Sequence, residues 1–163
     1  MSDHPEGTDE QSVAERSAAA MMAGDEASRT AGVSVVHVSP GRSEVRMQVT
    51  GSMVNGHAIA HGGYVFLVAD TAFAVACNSY GAVTVAAGCD IDFLRPTKQG
   101  DVLTAIAVER SRAGRSGLYD ITVRRADGTV VAEMRGRSRT VRGSLLDGSA
   151  GAVTEGGIPR CMT

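Results

Sequence analysis

The sequence contains no Trp, and Phe, Tyr and Trp together make up only 4% of it. A core so poor in rings must be built from Val, Ala, Leu, Ile and Met. Cysteine is equally sparse: Cys77, Cys89 and Cys161 form no CxxC pair, and an odd count leaves at least one thiol unpaired. The N-terminus is acidic and lacks the apolar stretch of a secretory leader. These features point to reduced thiols and a cytoplasmic protein. No uncharged apolar run reaches the roughly 18 residues a membrane helix needs. The net charge of −2 singles out no partner, although bases outnumber acids in the second half, where phosphates could be met.

What is present fits one domain. The chain has 163 residues, enough for one core. Residues 1–16 are polar and acidic and read as a disordered N-terminal tail, with a small Ala/Met-rich helix near Val13–Met22. Residues 143–163 return to Gly, Ser and Pro and read as a flexible C-terminal tail, leaving 17–142 as the folded domain. Within it, Ser34–Val38 and Glu44–Val49 flank Pro40-Gly41 as a hairpin. A Gly/Asn/His loop follows, then Tyr64–Ser79, without Gly or Pro, as a helix. Val83–Leu94, Val102–Arg112, Gly117–Arg125 and Thr129–Val141 read as long strands. Ala113-Gly114 and Asp127-Gly128 mark two of the turns. One helix against one antiparallel sheet is an α+β domain.

The helix carries the chemistry. From Val65 to Cys77 its only polar residues are Asp70 and Thr71. A helix apolar all round is expected to be buried on all sides. Asp70 has no Lys or Arg three or four residues away. An unpaired buried carboxylate is costly, and a desolvated base or nucleophile is a reason to keep it. The alternative is a carboxylate bonded to loop N–H groups. His61-Gly62-Gly63 opens the helix, where first-turn N–H groups lack intrahelical acceptors and can stabilise a developing oxyanion. Seven residues, about 10 Å of helix, separate Gly63 from Asp70. If both act on one carbonyl, they must come from different subunits, so the site straddles a dimer interface.

Asn55-Gly56-His57, His61-Gly62-Gly63, Leu67–Ala74, Ala76–Ser79, Cys89–Pro96, Gly117–Ile121 and Gly136-Arg137-Ser138 occur in an order that resembles the hydroxyphenylacetyl-CoA thioesterase PaaI family of phenylacetic acid degradation. The resemblance spans about residues 20–142. It implies a hotdog fold, a long central helix wrapped by a curved antiparallel sheet, assembled as a dimer of dimers. The implied reaction is hydrolysis of acyl-CoA, typically with an aryl-acyl group. Asp70 matches the catalytic carboxylate, acting as general base on water or as nucleophile. Gly63 matches the glycine whose N–H meets the thioester oxygen, with Gly62 close by. Asn55 matches the polar residue that orients water or thioester, and His61 the histidine of the same block. Where related enzymes carry an assisting Thr one turn after the carboxylate, this chain has Ala74. Thr71 adjoins Asp70 on another face and is counted as a contributor to substrate binding.

Arg95, Lys98, Arg112 and Arg115 lie near strand ends or turns; Arg95 and Arg115 are assigned to the CoA phosphates, and ordinary surface charge is the alternative. No cofactor is implied, CoA being part of the substrate. His57 and His61 are four apart but lie in a loop without a third ligand, and Asp90 and Asp92 share a strand face, so no metal is expected at either place. Two other functions compete. A hotdog hydratase or dehydratase would use His61 as its catalytic histidine. An acyl-CoA-binding sensor would need a nucleic-acid-binding module, for which residues 1–30 are too short and too acidic.

Overall fold

The computed structural model describes residues 6–147. Two helices, α1 (Glu6–Gly24) and α2 (Glu26–Thr30), precede a hairpin of β1 (Ser34–Ser39) and β2 (Arg42–Gln48). A loop opening with a 3-10 turn, Gly51–Met53, leads to α3 (Gly62–Cys77). Strands β3 (Ala82–Phe93), β4 (Val102–Ala113), β5 (Ser116–Arg125) and β6 (Val130–Ser144) follow. All six strands form one antiparallel sheet in the order β1-β2-β4-β5-β6-β3. Helix α3 touches every strand, and this α+β arrangement of a central helix against one antiparallel sheet is the hotdog fold.

Between helix and sheet lies an aliphatic core that includes Val45, Met47, Val68, Val75, Leu103, Ile121 and Val123. Its two rings, Phe73 and Tyr119, tilt against each other with centroids 5.4 Å apart. Gly136 on β6 makes room for them: a Cβ there would lie 2.9 Å from three ring atoms of Phe73, which is itself only 1% exposed. Gly136→Ala is therefore expected to cost roughly 1–3 kcal/mol through overpacking. At this chain size that means a fall of about 2–4 °C in melting temperature per kcal/mol. An unchanged thermal melt would mean that the ring has space to retreat.

Helix α3 is held at its far end by side chains. Asn78 Nδ2 donates to the carbonyls of Ala74 (2.9 Å) and Thr84 (2.8 Å), and Asn78 Oδ1 accepts from the Thr84 N–H (2.9 Å). Midway, Ser43 Oγ on β2 donates to the Ala72 carbonyl at 2.6 Å. These buried bonds set the rotation of α3, and hence the direction in which Asp70 points.

Both tails depart from the sequence expectation within the described residues. The segment 1–16 is helical from Glu6. Asp9 and Glu10 lie in the early turns of α1, where the helix dipole favours acids. Ala14, Ser17 and Ala18 are buried on the side facing β1, a docking that composition does not reveal. At the other end, β6 continues through Ser144, and the Leu145 N–H donates to the Gly81 carbonyl at 2.9 Å. The rest of the expected C-terminal tail, 148–163, lies outside the described residues.

Candidate active site

The loop before α3 is closed by its own backbone. Val54 and Ala60 form a β-bridge, Asn55 N–H donates to Ile59 O at 2.8 Å, and His61 N–H donates to Met53 O at 2.7 Å. Ala58 adopts a positive φ of 58° to complete the turn. Asn55 Oδ1 accepts the His57 N–H at 2.9 Å, so the side chain is fixed by its oxygen and its amide N–H groups are left to donate elsewhere. His61 caps α3: its Nδ1 accepts the Gly63 N–H at 3.0 Å.

That cap revises one assignment. The Gly63 N–H, expected to face the thioester oxygen, is already held by His61. The N–H without an acceptor among the described residues is that of Gly62. It opens on a cavity of about 480 Å³ lined by Asn55, Gly62, Val65, Phe93, Leu94 and Arg95. Phe93 walls the cavity so closely that a Cβ on Gly62 would lie 3.3 Å from its ring, yet the residue is 55% exposed.

Asp70 is not part of this cavity. It lies two turns along α3, on a partly exposed stripe with Phe66, Leu67 and Ala74. The helix is therefore buried on one side only, and the expectation of burial all round is corrected. Asp70 has no hydrogen-bond donor and no ion-pair partner among the described residues. Desolvation, and secondarily the negative charge of Asp25, hold its carboxyl above the ordinary carboxylate range. Burial pushes the Cys77 thiol up to about 12, with Asp70 adding to the effect. Cys77 is thus an inert packing residue.

The remaining candidates separate. Thr71 is 5% exposed, and its hydroxyl lies 2.9 Å from both Ser28 Oγ and Leu67 O, either of which can accept its one proton. It faces α2 rather than an open site, so its sequence-based role in substrate binding is corrected to a structural one. Arg95 lines the Gly62 cavity and donates to Val130 O at 3.0 Å. Arg115 donates to Thr140 O at 3.1 Å. Thr140 pairs with Thr84, nine residues from Phe93 on β3, so about 30 Å of strand separates the two arginines within one chain. Asp90 is ion-paired to Arg137 at 2.6 Å. Among the described residues no three His, Cys, Asp or Glu side chains converge as metal ligands, and no helix is long and apolar enough to cross a membrane.

Two features are not legible in the sequence. Phe93 lies in the Cys89–Pro96 segment without an assigned role, and only the fold shows it against Gly62. Asp25 and Ser28 are signalled only by an N-cap pattern, Asp followed three residues later by Ser, at the start of a helix too short to stand out.

The thioesterase superfamily model matches residues 57–132. The chain is 42% identical over 130 residues to the acyl-coenzyme A thioesterase PaaI of Escherichia coli K12, covering 80% of this chain and 93% of that protein. The solved structure of E. coli PaaI, from the phenylacetic acid degradation operon, superposes with a TM-score of 0.81 over 82% of this chain and 97% of its own. The TT0310 protein of Thermus thermophilus is 34% identical, with a TM-score of 0.69 over 71% of this chain and 97% of its own.

Proposed function

Since the chain belongs to the thioesterase superfamily, with a PaaI-type sequence and fold, we propose that it hydrolyses acyl-CoA thioesters of the aryl or phenylacetyl type in the cytoplasm. The protein is a thioester hydrolase acting on acyl-CoA. The observation that carries it is Asp70: a carboxylate without donor or cation, kept basic by desolvation on the open stripe of an otherwise apolar helix. Ionised, it either takes a proton from a water whose oxygen adds to the thioester carbonyl carbon, or adds there itself to give an anhydride that water then cleaves. The Gly62 N–H, at the positive end of α3, receives the charge that develops on the carbonyl oxygen. As the tetrahedral intermediate collapses, the C–S bond breaks and CoA leaves as its thiolate. Asn55 orients the reacting groups through its free amide.

Gly62 and Asp70 lie too far apart on one helix to share a carbonyl, so the complete site takes Asp70 from one copy and Gly62 from a second. The fold offers a surface for that pairing. Strand β3 is a sheet edge of 12 residues with one side unpaired, and it borders α3. Such an edge calls for cover. Pairing two β3 strands antiparallel about a two-fold axis covers it and brings the partly exposed stripes of the two helices towards each other. The same pairing sets the Arg95 end of one copy beside the Arg115 end of the other, where both can meet CoA phosphates. Two such dimers make the tetramer that the family resemblance implies.

The aryl preference rests on Phe93 beside the Gly62 cavity. An edge or face contact between rings is worth about 0.5–1.5 kcal/mol beyond area burial. The test is thiol release, followed with a chromogenic disulfide, across phenylacetyl-, hydroxyphenylacetyl-, benzoyl-, acetyl- and decanoyl-CoA. The expected result is kcat/KM for an aryl substrate about tenfold or more above acetyl-CoA. Preference for straight chains would overturn the aryl assignment, and no thiol release from folded protein would overturn hydrolysis. The hydratase alternative loses ground because His61 Nδ1 is committed to the Gly63 N–H.

A further inference from the structure

A chain of hydrogen bonds, buried where Ser28 meets Thr71, runs from the cap of α2 to the residue next to Asp70. Asp25 caps α2, and its Oδ1 accepts the Ser28 N–H at 2.9 Å. Its Oδ2 accepts from Ser28 Oγ at 2.6 Å. Its single proton given to Asp25, Ser28 Oγ accepts from Thr71 Oγ1 at 2.9 Å, and Leu67 O, also 2.9 Å from Thr71 Oγ1, is the alternative acceptor of that one proton. Ser28 and Thr71 are both buried. The contact joins residues 43 apart in sequence and is a polar tie between α2 and α3.

We propose that Asp25 is a positioning residue for the reaction: through Ser28 and Thr71 it fixes the turn of α3 that carries Asp70, and it sets a second negative charge on the inner side of that turn. This rests on the reading of Asp70 as the catalytic carboxylate. The surroundings of Asp70 leave Asp25 as the charge that matters. From its own helix Asp70 faces the Cys77 thiol and from β3 the Cys89 thiol, both shifted upward and therefore uncharged near neutrality. Among the described residues no cation on α1, α2 or the sheet acts on it, whereas Asp25 does. A neighbouring negative charge makes a carboxylate a stronger base, and its rate contribution rises with its basicity.

Asp70 works ionised, so kcat/KM rises with pH through its titration. Removing the Asp25 charge eases that ionisation and moves the acid limb to lower pH, while a weaker base lowers the plateau. Asp25→Asn keeps the size and the capping oxygen. It is expected to shift the acid limb down by roughly half a pH unit or more and to lower the plateau about threefold. Asp25→Ser, also a good cap, repeats the shift and covers the case in which the first variant folds poorly. Thr71→Val cuts the tie but leaves the charge, so it lowers the plateau without moving the limb. Profiles of both Asp25 variants that superpose on wild type would overturn the proposal. Asp70→Asn, run alongside, separates the two readings: an active Asp70→Asn enzyme sinks the Asp70 assignment itself, whereas an inactive one with unshifted Asp25 variants sinks only the role of Asp25.

Discussion

Asp70→Asn is expected to reduce kcat/KM on the best acyl-CoA by two orders of magnitude or more, and to make the folded protein more stable at neutral pH. The loss follows from the chemistry: the amide can neither accept a proton from water nor add to the carbonyl carbon, and general acid–base contributions of about 10²–10⁴ are typical. The gain in stability follows from the site. Asp70 is raised above its ordinary 3.8 because folding desolvates it without providing a donor. A group raised on folding contributes its stability below the unfolded pKa and loses it as the pH rises through the folded value. At pH 7 the ionised carboxylate is therefore a cost to the fold, and the isosteric amide removes it. A higher melting temperature together with the lost activity is the signature of a residue kept for function against stability. Lost activity with a lower melting temperature would instead mark Asp70 as a structural acceptor, and the assignment of the site would fall.

Local chemistry makes most of the fold readable in advance. Gly41, Gly114 and Gly128 all take positive φ, between 57° and 84°, and each stands in a Pro-Gly, Ala-Gly or Asp-Gly pair that reads as a turn. The nearly unbroken apolar run of α3 announces a helix, although the cap by His61 starts it at Gly62 and the Asn78 bonds end it at Cys77. Which side of that helix is open is not readable, because a run apolar on every face carries no periodicity to mark the side left for a partner. The Ser28–Thr71 contact is hidden for a different reason: it joins distant segments whose meeting is decided by the packing of α2 on α3. The choice between Gly62 and Gly63 is hidden as well. Adjacent glycines look alike in a sequence block, and only the acceptor on His61 Nδ1 tells their N–H groups apart.

That distinction leads to the second large effect. Gly62→Pro is expected to lower kcat/KM on the order of 10²–10³-fold, the usual cost of one oxyanion donor. The substitution is unusually clean here. Gly62 is the first residue of α3, a position that tolerates proline because its N–H has no helical acceptor. His61 before it has φ −60° and ψ 133°, the extended conformation a residue ahead of proline prefers. A Cβ there needs only a small retreat of the half-exposed Phe93 side chain. If Gly63 were the donor, the same variant would stay near wild-type rate. Combined with Asp70→Asn, the variant also tests the shared site. Each homodimer has two defective sites, but a hybrid of the two has one site built from intact Asp70 and intact Gly62. Randomly mixed subunits place half of all dimers in the hybrid state with half their sites restored, so about a quarter of wild-type activity returns. No recovery on mixing, with hybrids confirmed by mass, would put Gly62 and Asp70 to work within one subunit and overturn the cross-interface site.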